Sequence, residues 1–199
     1  MAAMGSHADA SGIDWSKVEF WWSDERYLPE GDPQRNETGA REALLDKVDV
    51  DPAKVHPMPR SEVAGSDKGL DEAAAAYAQE LIDSHGSDEN IAFDINMLGI
   101  GEDAHCASLF PGRDEQFEPE TVVAVRNSPK PPPLRTTFTM QTINASKRVW
   151  LIASGEGKAD AVALIQSDAR AKDAPSGAAR GSVETILFAD EAAASKLTN

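Results

Sequence analysis

Residues 93–112 read FDINMLGIGEDAHCASLFPG, and this stretch constrains the fold more than any other in the chain. Phe93, Ile95, Met97, Leu98 and Ile100 form an apolar run too short for an independent helix and rich in β-favouring residues, which predicts a strand buried on both faces. Gly99 and Gly101 remove two Cβ atoms where that strand ends, which opens positive φ and lets a ligand approach the backbone. Asp103 can cap a short helix after the turn, and Pro111 with Gly112 closes the segment. His105 then falls just past a strand's carboxyl end and near a helix N-terminus, where open α/β sheets bind their ligands. An imidazole there is either a helix-face or capping side chain or a general base, because it titrates near neutrality and a βα loop can hold it against a substrate.

Further units of the same kind run along the chain. Residues 15–22 (WSKVEFWW) alternate as a strand, with Val18, Phe20 and Trp22 on one face and Glu19 and Trp21 on the other, and end in the charged run Asp24, Glu25, Arg26, Tyr27. Residues 37–48 have helical spacing through Ala40, Leu44 and Val48, and residues 70–84 through Leu70, Ala74, Tyr77 and Leu81. A short strand is expected at Val55 and His56, and another over 121–125 from β-branched content. Four prolines exclude regular structure from 126–133. Residues 136–142 read as a strand or the lead into a helix, 148–153 (RVWLIA) as a buried strand, 159–166 as a helix, 185–188 as a last strand and 191–197 as a last short helix. Strands near 18, 95, 123, 150 and 187 separated by helical patterns predict an α/β fold: a mostly parallel, Rossmann-like layered sheet with helices on both faces. Residues 1–14 read as poorly ordered or a residual helix, and 15–199 as a single domain.

Composition narrows the function. Acids outnumber bases 34 to 19, a formal charge of −15, which argues against nucleic acid or an anionic membrane as partner and requires any anionic substrate to be held by a local basic cluster. The single cysteine, Cys106, rules out an internal disulfide and fits a reducing, cytoplasmic setting. No apolar run approaches the ~20 residues of a membrane helix. His7, His56, His85 and His105 are scattered, with no cysteine pair or HExxH, so no metal or cofactor is expected. Ser108 lacks the glycines of a nucleophile elbow, Cys106 reads as a small buried residue before a thiol nucleophile, and Gly99-Ile100-Gly101 continues with Glu102-Asp103-Ala104, which breaks a dinucleotide fingerprint.

Residues 98–111, LGIGEDAHCASLFP, resemble the 6-phosphogluconolactonases, whose pattern runs approximately Leu-Gly-(Met/Ile)-Gly-x-Asp-Gly-His-x-Ala-Ser-Leu-Phe-Pro. Ala104 departs from it where the family nearly always has glycine, which predicts a strained or altered backbone beside His105. The resemblance extends to Asp24-Glu25-Arg26 after the Trp-rich strand, to Ser128-Pro129-Lys130-Pro131-Pro132 with Arg135 close behind, to Gly155-Glu156-Gly157-Lys158, and to Asp32 through Asn36. It implies hydrolysis of 6-phospho-D-glucono-1,5-lactone to 6-phosphogluconate in the oxidative pentose phosphate pathway. His105 is then the general base, with Asp24 and Arg26 beside it, and Arg26 and Lys130 hold the phosphorylated substrate. Arg135, Lys158, Asn36, Gly99 and Gly101 complete the substrate-binding set, and the oxyanion falls to backbone N–H groups around Gly99 to Gly101 or to Arg26.

Members of the family generally begin with a strand, a glycine-rich loop and a helix. The 14 residues before Trp15 are too few for these, so the resemblance implies that the first βα unit is missing. A second reading follows: a shortened, catalytically impaired relative that binds sugar phosphates or self-associates through an exposed sheet edge, against a monomer. The related glucosamine-6-phosphate deaminases are similar through Gly-x-Gly-x-Asp-Gly-His but continue Phe-Asn-Glu-Pro, where this chain has Ser108-Leu109-Phe110-Pro111.

Overall fold

Trp15 and its neighbours do not form the single strand that their alternation predicts. In the computed structural model, which describes residues 6–7, 12–167 and 172–197, Trp15–Lys17 is a 3-10 turn and only Phe20–Trp21 (β1) pairs as a strand. The Trp22 N–H leaves the ladder and donates to the hydroxyl of buried Tyr77 (2.9 Å), so a helix side chain ends the pairing. Most of residues 1–14 lies outside the described residues.

Next come β2 (Asp24–Arg26), α1 (Asn36–Ala43), and β3 (Val55–His56), which pairs parallel with β1. The predicted helix over 37–48 ends early at Leu44, whose backbone (φ −144, ψ −58) is not helical. Helix α2 (Leu70–His85) lies between Gly69 and Gly86, both left-handed, and buries Leu70, Ala74, Tyr77 and Leu81 as its spacing requires. The chain continues with β4 (Ile95–Gly99), β5 (Val122–Val125), β6 (Arg135–Phe138) and α3 (Met140–Asn144). It ends with β7 (Arg148–Ala153), α4 (Ala159–Gln166), α5 (Pro175–Ala178) and β8 (Glu184–Ala189). Residues 191–197 form successive turns and not the predicted helix; so short a segment cannot repay helix nucleation without a packed face.

The fold is mixed α/β, with parallel sheets β1–β3 and β4–β7–β8. A third sheet, β2–β6–β5, is antiparallel, so the strand near 123 does not join the parallel set. The proline loop after β5 returns the chain directly to β6, and a connection without a crossover element joins antiparallel neighbours.

Strand β4 is not buried on both faces. Asn96 and Leu98 point inward, whereas Ile95 and Met97 are each 43% exposed. Ile95 is opposite Arg148 and Met97 opposite Trp150, and Ile152 of β7 with Ile186 and Phe188 of β8 continue the apolar part of this outer face. On the inner face Leu98, Val149, Leu151 and Ala153 join the core with Val162 and Ile165 of α4. Among the described residues β4 and β8 each pair on one side only, leaving two sheet edges.

Candidate active site

Strands β4 and β7 are parallel, so the loops that leave their carboxyl ends emerge together. A cleft of about 480 Å³ opens there, lined by His105, Asp24, Arg26, Asn36, Gly99, Gly101, Lys130, Arg135 and Lys158. Every residue singled out from the sequence thus meets on one surface, although they come from segments up to 134 positions apart, Asp24 to Lys158.

The loop after β4 is built differently from its reading in sequence. Residues 100–112 run as turns with no helix, so Asp103 caps nothing. Its carboxylate folds back on the histidine, with Oδ1 2.5 Å from His105 Nδ1 and 3.4 Å from the His105 backbone N. With Nδ1–H donated to a carboxylate, Nε2 carries the lone pair, which is the tautomer a general base needs. Burial pushes the Asp103 carboxyl up, but the hydrogen bonds and charge of His105 and the charge of Lys130, 4.0 Å away, outweigh it and hold it below the usual carboxylate range. Phe110 packs on the imidazole at 4.6 Å between ring centres and limits its rotation.

Gly101 is required here for space and not for its φ. A Cβ at this position would overlap the His105 ring and the Asp103 carboxylate. Neither Gly99 nor Gly101 has positive φ; the left-handed non-glycine residues of the loop are Ala104 (φ 63) and Ala107 (φ 49). Ala104 therefore takes the conformation a glycine would supply. Its N–H donates to Gly101 O (2.9 Å) and its carbonyl accepts from the Ser176 N–H (3.0 Å) and hydroxyl (2.6 Å), which hold it there fully buried.

Two donors expected to face an oxyanion are already used. The N–H groups of Ile100 and Gly101 donate to Ile152 O (3.1 Å) and His105 O (2.9 Å). Arg26 is the remaining donor of that pair of expectations: its Nη1 donates to Gln34 O (2.5 Å), while its buried Nε meets no protein acceptor.

The other cations differ in how free they are. The Lys130 side chain is 41% exposed, its ammonium beside Asp103, and among the described residues the Lys158 ammonium meets no acceptor. Arg135 is buried, and burial draws its guanidinium below the usual arginine range, offset in part by Asp24. It donates to the carbonyls of Lys130, Pro131 and Pro132 (3.0, 3.2 and 3.1 Å) and to Ser108 Oγ (3.3 Å), and stacks over Phe110 at 5.7 Å. So it holds the loop that presents Lys130.

Asp24 accepts from the Ser108 hydroxyl (2.8 Å) and from the Asn36 amide (3.3 Å), and its contacts are with these groups and Arg135, not with Arg26. Cys106 is sealed in the core, and burial pushes its thiol up to about 12, which removes the thiolate a nucleophile requires. Three participants escaped the sequence reading: Asp103 as the histidine's partner, Ser108 as a ligand of Asp24, and Glu25. The Asp-x-His spacing would have pointed to the first. Nothing local marks a serine and an aspartate 84 positions apart as partners.

Fold and cleft together define an α/β protein with a carboxylate-paired histidine in a cation-lined cleft at the carboxyl ends of parallel strands. The chain belongs to the family of glucosamine-6-phosphate isomerases and 6-phosphogluconolactonases, whose pattern it matches over residues 1–187. It is 48% identical over 202 residues to a 6-phosphogluconolactonase of Streptomyces coelicolor, covering 99% of this chain and 77% of that protein. The crystal structure of 6-phosphogluconolactonase from Thermotoga maritima superimposes with a TM-score of 0.79 at 26% identity, over 94% of this chain and 79% of that one. A monomeric glucosamine-6-phosphate deaminase is similar in fold at TM-score 0.77 and 25% identity, over 98% of this chain and 81% of its own.

Proposed function

We propose that this chain hydrolyses 6-phospho-D-glucono-1,5-lactone to 6-phosphogluconate, the lactone-opening step of the oxidative pentose phosphate pathway. The observation that carries the reading is the Asp103–His105 pair in a cleft that also holds Arg26, Lys130 and Lys158. His105 Nε2 takes a proton from water as its oxygen bonds to the lactone carbonyl carbon. The carbonyl oxygen becomes an oxyanion, whose charge falls to the Arg26 guanidinium that lines the cleft. Collapse of the tetrahedral intermediate breaks the bond to the ring oxygen, which leaves with the proton held by His105, and the new carboxylic acid ionises. Asp103 stabilises the imidazolium between the two transfers.

Lys130 and Lys158 suit a phosphate dianion and share the cleft with Asn36, while Arg135 holds the Lys130 loop and Asp24 holds Asn36. The 48% identity to a named lactonase and the run Ser108-Leu109-Phe110-Pro111 support this reading over the deaminase one. Among the described residues no helix is long and apolar enough to cross a membrane, and a buried free cysteine suits our placement of the protein in the cytoplasm.

The test is turnover of enzymatically generated phosphogluconolactone, followed as acid release above its spontaneous hydrolysis. Catalysis is expected, and His105→Ala should lower it by about 100-fold or more. A wild-type chain no faster than buffer ends the proposal, and an unchanged His105→Ala rate removes the base assignment.

A further inference from the structure

Glu25 is the one residue of the Asp24-Glu25-Arg26 run that does not line the cleft, and it has no solvent exposure. A carboxylate taken out of water needs donors for its lone pairs. Its Oε1 accepts from the backbone N–H of Arg26 (2.7 Å) and of Asn36 (2.7 Å), and its Oε2 from the backbone N–H of Glu37 (2.8 Å). Arg35 Nη2 stands 3.8 Å from Oε2 and balances the charge; Arg35 is itself tied to Leu28 O and Met58 O. Burial pushes the Glu25 carboxyl up, against the pull of those N–H groups and of Arg35.

Asn36 and Glu37 open α1, and the residue before them, Arg35, supplies no side-chain cap. The cap therefore comes from a strand 11 positions earlier. The neighbours of Glu25 close the same joint. Arg26 Nη1 donates to Gln34 O (2.5 Å), and Asn36 Nδ2 donates to Asp24 O (2.9 Å) and Oδ1 (3.3 Å). Three successive residues of β2 thus grip the segment 34–37, and the two ends of the grip, Arg26 and Asn36, both face the cleft.

We infer that Glu25 is a positioning residue: its buried carboxylate, shared between the N–H groups of Arg26 and Asn36, sets these two cleft side chains at the spacing an anionic sugar substrate requires. The inference rests on the proposed lactonase reading for its substrate and on the hydrogen bonds alone for its geometry. Glutamine cannot replace it. Its single oxygen satisfies either Oε1's two donors or Oε2's one, and its NH₂ then meets a backbone N–H donor to donor.

The experiment compares wild type, Glu25→Gln, Glu25→Asp and Asn36→Ala for lactone kcat and KM, for calorimetric affinity toward inorganic phosphate, and for melting temperature. Glu25→Gln should raise KM and the phosphate Kd about tenfold and lower kcat by about tenfold or more, since a displaced Asn36 loosens the anion's anchor and a displaced Arg26 weakens its hold on the oxyanion. Adding Asn36→Ala to Glu25→Gln should weaken binding by less than Asn36→Ala does in the wild type, because both changes disable one joint. Unchanged KM and phosphate Kd in folded Glu25→Gln, with a lower melting temperature alone, overturns the inference and leaves Glu25 a fold residue. If Glu25→Gln does not fold, Glu25→Asp decides: its charge is kept but its reach is one methylene shorter, so wild-type KM and Kd there overturn the inference and raised ones support it. A wild-type chain that binds phosphate without opening the lactone defeats the hydrolase reading only, and the phosphate affinities still decide the role of Glu25. A wild type that does neither defeats both.

Discussion

The chemistry proposed for this chain rests on one short contact, between Asp103 Oδ1 and His105 Nδ1 at 2.5 Å. The carboxylate fixes the tautomer and offsets the positive charge that the ring acquires when it takes water's proton. Asparagine can still accept from Nδ1–H but brings no charge, so Asp103→Asn should cut kcat by about 100-fold and leave KM within about threefold. An equal loss in kcat and gain in KM would mean that Asp103 acts on substrate through Lys130, 4.0 Å from it, and not through the histidine. Gly101 follows from the same contact, because any side chain there occupies the space of the ring.

At the scale of elements, the loop after β4 and the sheet beneath it each yield a measurable expectation. Ala104 holds φ 63, a region that disfavours L-residues by about 1 kcal/mol. Ala104→Gly relieves that strain but frees the unfolded chain by about 0.5–1 kcal/mol and removes a buried methyl worth about 0.8 kcal/mol. These nearly cancel, so urea denaturation should show a change of less than about 1 kcal/mol and turnover should match the wild type. The family glycine would thus be compatible here without being necessary. The two faces of β7 should separate further. Leu151 is 3% exposed in the core and Leu151→Ala should cost about 2–5 kcal/mol, whereas Ile152 is 45% exposed and Ile152→Thr should change stability by about 0.5 kcal/mol. Comparable losses at both positions would show that the outer face is covered in solution. Element placement was legible wherever a period was long and bounded. The 16 residues of α2 between two glycines and the six of β7 are examples. It failed where tertiary partners took over, as when Tyr77 draws the Trp22 N–H out of the β1 ladder.

Across the whole molecule, charge sets the response to pH. Asp71, Asp94 and Asp103 have carboxyls below the usual range: hydrogen bonds from Arg126 and Lys147 hold the first two, and His105 outweighs burial at the third. A depressed folded value adds stability that is fully present above the unfolded carboxyl pKa of about 3.9 and is lost as pH falls through the folded value. Glu25 runs the other way: its raised carboxyl adds stability present below the unfolded value and lost as pH rises through the folded one. The depressed set is larger, and protonating it also turns a chain of formal charge −15 toward net positive. The melting temperature by calorimetry should therefore fall as pH is lowered below about 4, and a rise there would refute the balance of signs.

By itself the sequence determined the long helix α2, the helix α4, the strands β4, β7 and β8, and the positions of His105 and of the cations Arg26, Lys130 and Lys158. Each of these is written in local period, turn chemistry or contiguous motif. Tertiary structure alone decided that β5 and β6 run antiparallel, that Asp103 faces the imidazole instead of a helix, that Ser108 serves Asp24, that Arg135 is spent on the Lys130 loop, and that Glu25 binds β2 to α1. The physical reason is common to them: a hydrogen bond between distant residues depends on strand register and on which groups are already satisfied, and neither quantity exists until the chain has packed.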